Sequence, residues 1–199
     1  PARRDDGLTR RLPSPGRRRM EPLAISVRLE TSDDAEAIRE VELAAFAGPE
    51  EAEIVARIRR EAPTGWMSLV ACTPDGTIVG HLLLSPCGVE DDEGRVLGEV
   101  LAVGPVAVLP EAQRRGVGSA LMAAAQGVAV ARRVPALVLL GYPEYYARFG
   151  FEPARDVGLE APAPAWPDAA WMARLLPAWS DDLRGPVRFA FHAQRAPAD

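Results

Sequence analysis

The sequence contains no lysine and no asparagine; all 23 of its basic residues are arginine, a bias that points to a GC-rich genome. It has two cysteines, Cys72 and Cys87. These are too few for a disulfide framework and too far apart for a CxxC pair, so they read as reduced thiols of a cytoplasmic protein. No apolar run approaches the ~20 residues that a membrane-spanning helix needs. No apolar core follows the N-terminal arginines, which are therefore not expected to be a secretory signal. His, Cys, Asp and Glu show no metal-ligand spacing, so no metal is expected. No GxSxG surrounds a serine, and no GK[ST] ends a glycine loop.

What is present describes an ordinary globular chain. Hydrophobic residues make up 48% and charged residues 26% of 199 residues, which excludes a disordered acidic chain or a collagen-like one. The length suits one medium domain. Charge is unevenly placed. Residues 1–19 carry seven Arg and two Asp, a net +5, which leaves −10 for the rest of a chain whose total is −5. Residues 1–22, rich in Arg and Pro, are expected to be a disordered tail, with Met20 as an alternative start, and residues 23–199 a single domain. The tail could serve as a nucleic-acid arm, but an acidic body is a poor partner for phosphate backbones. It suits a cationic partner such as an amine or a basic peptide.

Periodicity outlines the elements. Ile25–Leu29 reads as a strand. Thr31 and Ser32 can cap a helix with Asp33 and Asp34 in its first turn and Ile38, Val41, Leu43 and Phe46 along it. A second helix is expected over Glu50–Glu61, with Ile54, Val55 and Ile58 on one face. Ser68–Cys72 and Thr77–Leu84 flank Pro74-Asp75-Gly76, an antiparallel hairpin signal. An acidic loop, Glu90–Gly94, leads to a long apolar strand, Val96–Leu109. A helix over Gly116–Ala131, a buried strand Ala136–Leu140 and a short helix Pro143–Arg148 follow, and Gly150-Phe151 opens another strand. Residues 156–180 are the least regular, and Val187–His192 can form a last strand. The order predicts an α/β domain with a mixed sheet rather than a doubly wound nucleotide fold.

The stretch Val103–Leu121 carries the chemistry. A strand runs through Val106-Ala107-Val108 into the loop Gln113-Arg114-Arg115-Gly116-Val117-Gly118 and directly into a helix. Gly116 and Gly118 allow a tight turn and close approach of a ligand to the backbone. Unpaired N–H groups of the first helical turn, the helix dipole and two arginines together make a pyrophosphate cradle. By itself a two-glycine loop is weak evidence, and Arg114-Arg115 could be a solvated turn.

Gln113–Gly118 resembles the Q/R-x-x-G-x-G/A signature of the GNAT superfamily of N-acetyltransferases. Leu139-Leu140-Gly141-Tyr142-Pro143-Glu144-Tyr145-Tyr146-Ala147-Arg148-Phe149-Gly150-Phe151-Glu152-Pro153 resembles the same family's strand-helix-strand segment, in the form typical of its YhbS-like branch. The likeness runs from about Ile25 to Arg195. It implies an α+β layered fold: a mixed, mostly antiparallel central sheet, helices on both faces, and a parallel pair that splays apart. The pair would be the strand ending near Val108 and the strand Ala136–Leu140. It implies acetyl-CoA as cosubstrate, held by the N–H groups of Val106 and Val108 and by the Arg115–Ser119 backbone, with Gln113 and Arg114 alongside. It implies direct attack by an amine on the acetyl carbonyl, with Tyr146 as the acid at the departing sulfur.

Other assignments stay open. Glu99, at the start of the cofactor strand, is the candidate base and equally a solvated carboxylate. His81 and His192 lack a motif and read as structural or surface residues. Tyr142 stands where this branch commonly has His or Asp. Trp166, Trp171 and Trp179 could line an acceptor cleft, but packing is the simpler reading. The acceptor is expected to be an amine of a small molecule or peptide, with no membrane or nucleic-acid partner; a homodimer is left open. A non-catalytic acyl-CoA sensor on the same fold is the alternative.

Overall fold

Residues 21–46, 48–61 and 64–189 are described by the structure, a computed structural model. The tail before Glu21, together with His192 and the end of the expected last strand, lies outside them.

β1 (Ser26–Leu29), β2 (Met67–Cys72), β3 (Ile78–Glu90) and β4 (Val96–Val108) form an antiparallel run, each strand paired to the next. β5 (Ala136–Leu140) joins β4 in parallel, and β8 (Trp171–Leu175) and β6 (Glu152–Pro153) extend the sheet beyond it. β9 (Gly185–Phe189) pairs with the outer half of β3, and the two-residue β7 (Leu159–Glu160) pairs in parallel with β9. The sheet is thus mixed and mostly antiparallel, as the resemblance implies.

Local chemistry explains the boundaries. At the β2–β3 turn the Asp75 carboxylate accepts the Thr77 N–H at 3.3 Å, an Asx-type closure that Pro74 and Gly76 accommodate. At the β3–β4 turn Asp91 accepts from the N–H groups of Glu93 and Arg95. These contacts let β3 continue to Glu90, beyond the expected end at Leu84. α1 (Ala35–Ala45) is preceded by a single 3₁₀ turn, Ser32–Asp34. Asp34 does more than face the helix dipole: its carboxylate accepts from the Thr31 N–H at 2.6 Å and from the Arg28 guanidinium at 2.6 and 2.9 Å.

Two helical layers cover the sheet. On one face α3 (Val117–Ala131) buries Val117, Leu121, Met122 and Ala125 against Leu69, Ala71, Leu82, Leu101 and Leu137. On the other, α1 packs Ile38 and Val41 onto Val70, Cys72 and Ala107, and α2 (Glu50–Glu61) packs Val55 and Ile58 onto Leu83. β2 therefore reads as a continuous apolar run because both of its faces are covered. Ile54 departs from the expected face and is exposed. Truncating Leu121, which is fully buried, would cost about 2–5 kcal/mol.

The segment 156–180 is more ordered than its composition suggests. β8 pairs with all five residues of β5, and Trp171 is buried with its indole N–H on the Leu159 carbonyl at 3.1 Å. Trp166 packs against Trp171 and Phe189, so the tryptophans are packing residues of a second core beneath β5, β8 and β9.

Candidate functional site

The site begins with a fault in β4. Leu82 pairs with Val106 but Leu84 pairs with Val103, so Gly104 and Pro105 together oppose Leu83 alone. Such a bulge bends the strand, and Pro105 has no N–H to offer a ladder. The β4–β5 pairing covers only Leu101–Leu137 and Ala102–Val138. Beyond the bulge the two parallel strands are no longer bonded.

That separation frees backbone donors. Leu109 donates its N–H to the Val79 carbonyl on β3 at 3.0 Å. Amides alternate along an extended strand, so the N–H groups of Val108 and Val106 face away from their antiparallel neighbours. Val108 is held from that side by Gln113, whose Nε2 donates to its carbonyl at 3.1 Å.

The loop after β4 turns on left-handed residues. Arg114 has φ +58° and Gly116 has φ +94°, and α3 starts one residue later. Gly118 lies in the first helical turn, where the backbone N–H groups have no intrahelical partner. A Cβ there would lie 2.6 Å from the Tyr145 hydroxyl, so only glycine leaves the present spacing intact.

α4 (Pro143–Tyr146) and the 3₁₀ turn Ala147–Phe149 form the opposite wall. The two tyrosines diverge: Tyr145 reaches toward Gly118, whereas the Tyr146 ring lies over Gly141, where a Cβ would collide with it. Burial pushes the Tyr146 phenol up to about 12, and the neighbouring Tyr145 adds to the shift. The Tyr146 hydroxyl has no hydrogen-bond partner among the described residues.

These parts surround one cleft of about 560 Å3, lined by Val106, Val108, Gln113, Arg114, Gly116, Gly118, Ser119 and Tyr146, with Tyr145, Arg148, Ala45 and Phe46. Its charged lining residues are Arg114 and Arg148. Residues 26–154, the span that carries this cleft, match the family described as Acetyltransferase (GNAT) domain. The chain belongs to the GNAT acetyltransferases. Among its GNAT relatives, the uncharacterised N-acetyltransferase YjhQ of Escherichia coli (strain K12) is 37% identical over 163 residues, covering 79% of this chain and 87% of the relative. The uncharacterised YhbS of the same strain is 28% identical over 173 residues, covering 85% and 98%. The crystal structure of E. coli YhbS in complex with CoA superposes with TM-score 0.75 at 26% identity, over 88% of this chain and 95% of that one. A GNAT acetyltransferase from Brucella melitensis, in complex with acetyl-CoA, gives 0.67 at 30% identity, over 84% and 98%.

Three sequence candidates keep their side chains out of the cleft, which for Arg115 and Val117 leaves the backbone N–H groups in the loop and first turn of α3. Val117 is a core residue of the α3 face. Arg115 turns its side chain from the cleft, with Nε donating to the Glu21 carbonyl at 3.2 Å, while its own carbonyl accepts the Leu23 N–H at 3.0 Å. Glu99 is exposed, opposite Gly88 in the β3–β4 ladder and ahead of the bulge, and does not line the cleft.

One buried polar cluster was not legible from motifs. His81 on β3 contacts Glu42 of α1 through Nδ1 and the Ser68 hydroxyl of β2 through Nε2, at 2.8 Å for the latter. All three are buried, so the string resembles a hydrolase triad in connectivity but presents no accessible nucleophile. A signal did exist. Glu42 falls within the stripe Ile38, Val41, Glu42, Ala45, where helical spacing calls for an apolar residue. Among the described residues no cluster could hold a metal ion, and no helix is long and apolar enough to cross a membrane.

Proposed function

We propose that the protein is an acetyl-CoA-dependent N-acetyltransferase that moves an acetyl group directly to the primary amine of a small molecule or peptide. The observation that carries this is the convergence, on one cleft, of two β4 amides turned from their ladder, the first turn of α3, and an unpartnered phenol. The lining fits such a cosubstrate: it offers two arginines, and a cradle at Gly118 that a Cβ would fill.

Acetyl-CoA would supply an acetyl group already activated as a thioester. The Val106 N–H would donate to the acetyl carbonyl oxygen and favour the negative charge that grows there on attack. The Val108 N–H would hold the pantetheine arm. The backbone of Gly116–Ser119, with Arg114 beside it, would take the pyrophosphate through its unpaired N–H groups and the helix dipole. Tyr146, kept protonated at neutral pH by its burial, would donate to the departing sulfur. Among the lining residues there is no carboxylate or imidazole, so this reading gives the amine's proton to water rather than to Glu99.

Acetyl-CoA-dependent release of free thiol, followed over a panel of amines, polyamines, aminoglycosides and peptides, tests the proposal. Turnover with at least one amine, and an amide in the product, is the expected result. Tight CoA binding with no turnover on any amine would favour the sensor reading instead.

A further inference from the structure

Resting on the acetyl-CoA reading of the cleft, we propose that Arg148 is a second phosphate-binding arginine, which closes on the pyrophosphate from the wall opposite the first turn of α3. The loop motif does not include it, since it lies 30 residues beyond Gly118 and acts from α4's side of the cleft.

Four observations carry the inference. Arg148 lines the same cleft as Gly116, Gly118 and Ser119. Its guanidinium carbon sits 4.1 Å from the Tyr145 ring centroid and 4.7 Å from that of Phe149, so two aromatic faces hold the group in place. The same Tyr145 ring reaches across to Gly118, which brings the stacked guanidinium toward the phosphate end of the cleft. Finally, Arg148 makes no ion pair with a carboxylate among the described residues, although the body of the chain is strongly acidic. Among the described residues the ion pairs pass over both Arg148 and Arg114.

The wall that carries it is anchored. The Phe149 carbonyl accepts from Gln126 Nε2 of α3 at 3.0 Å and from the Arg174 guanidinium of β8. A pre-placed planar cation facing a helix N-terminus is suited to a dianionic ester bridging the two. Stacking leaves the guanidinium N–H edges free to donate to phosphate oxygens. Tyr145 is then a positioning residue for Arg148.

Calorimetric titration of the full chain with CoA and with dephospho-CoA, at two salt concentrations, tests this. Arg148→Ala should weaken both ligands about equally, by about 10-fold or more, as expected for a lost charged hydrogen-bond donor. It should also flatten the salt dependence, because one screened charge is gone. Arg148→Gln, which keeps a planar polar end, should behave like Arg148→Ala and guards against a folding artefact. Unchanged affinity in folded variants would overturn the proposal. So would a loss confined to CoA, which would place Arg148 on the 3′-phosphate, and a loss with undiminished salt dependence, which would mean that Arg148 only supports Tyr145. Failure of the wild type to bind CoA would instead remove the cofactor reading itself.

Discussion

His81 on β3 and Glu42 on α1 meet through Nδ1 and Oε1, with both side chains completely buried. The contact ties the helix to the sheet next to the cleft wall, since Phe46 lies one helical turn beyond Glu42 and Ala107 pairs with His81 across β4. Ser68 completes the imidazole's hydrogen bonding from β2. The pair is therefore a latch for the helix whose end lines the site.

Removing one member of such a pair leaves the other buried without its hydrogen-bond partner, a change that costs about 1–3 kcal/mol. Glu42→Ala and His81→Ala are each expected to lower stability by about that amount in denaturant titration. The double variant should cost clearly less than the two single effects together. Full additivity would show that the two residues do not act as a unit.

A second electrostatic element sits at the start of α1. The Arg28 guanidinium, with the Thr31 N–H, holds the Asp34 carboxyl well below the usual carboxylate range. A depressed acid stabilises the fold above its unfolded value and loses that contribution as pH falls toward the folded one. Asp34→Asn should thus lower Tm at pH 7, and the gap from wild type should shrink as pH drops below about 4. A gap that stays constant down to acid pH would mean that charge plays no part in this cap.

The tyrosines make opposite predictions. Tyr146→Phe keeps the ring over Gly141 and removes a phenol that stays protonated at neutral pH. Turnover should fall by about 10²-fold with little change in acetyl-CoA affinity. Tyr145→Phe should retain turnover, and affinity as well, because it keeps the ring that stacks on Arg148. Steady-state rates and calorimetry on both variants separate the roles; reversed outcomes would exchange them.

Glu99→Gln should leave turnover within about threefold of wild type, because an exposed charge outside the cleft adds little to a transition state within it. A large loss in kcat that follows pH would restore Glu99 as the base.

Much of this was written locally in the chain. The β2–β3 hairpin follows from Pro74-Asp75-Gly76, and the α3 start from Gly116 and Gly118, because turn chemistry depends on adjacent residues. What depended on distant pairing was not legible. β8 has no strong signal of its own in a segment rich in Pro, Ala and Trp; its pairing with β5 orders it. Glu99 and Val106 belong to one strand, yet the bulge at Gly104-Pro105 sends only the later half to the cleft, and a bulge is defined by its partner's register. Glu42 and His81 are 39 residues apart, so a polar position inside each apolar pattern is all the sequence shows of their contact.

Titration of the folded protein with acetyl-CoA, beside a Gly118→Trp variant, tests whether the cleft at the start of α3 holds the cosubstrate. Saturable one-site binding by the wild type and its loss in a variant that remains folded are expected, because an indole at residue 118 would crowd the first turn of α3, where a Cβ alone already lies 2.6 Å from the Tyr145 hydroxyl. Wild-type protein that does not bind, or a folded Gly118→Trp variant with undiminished affinity, would contradict that assignment.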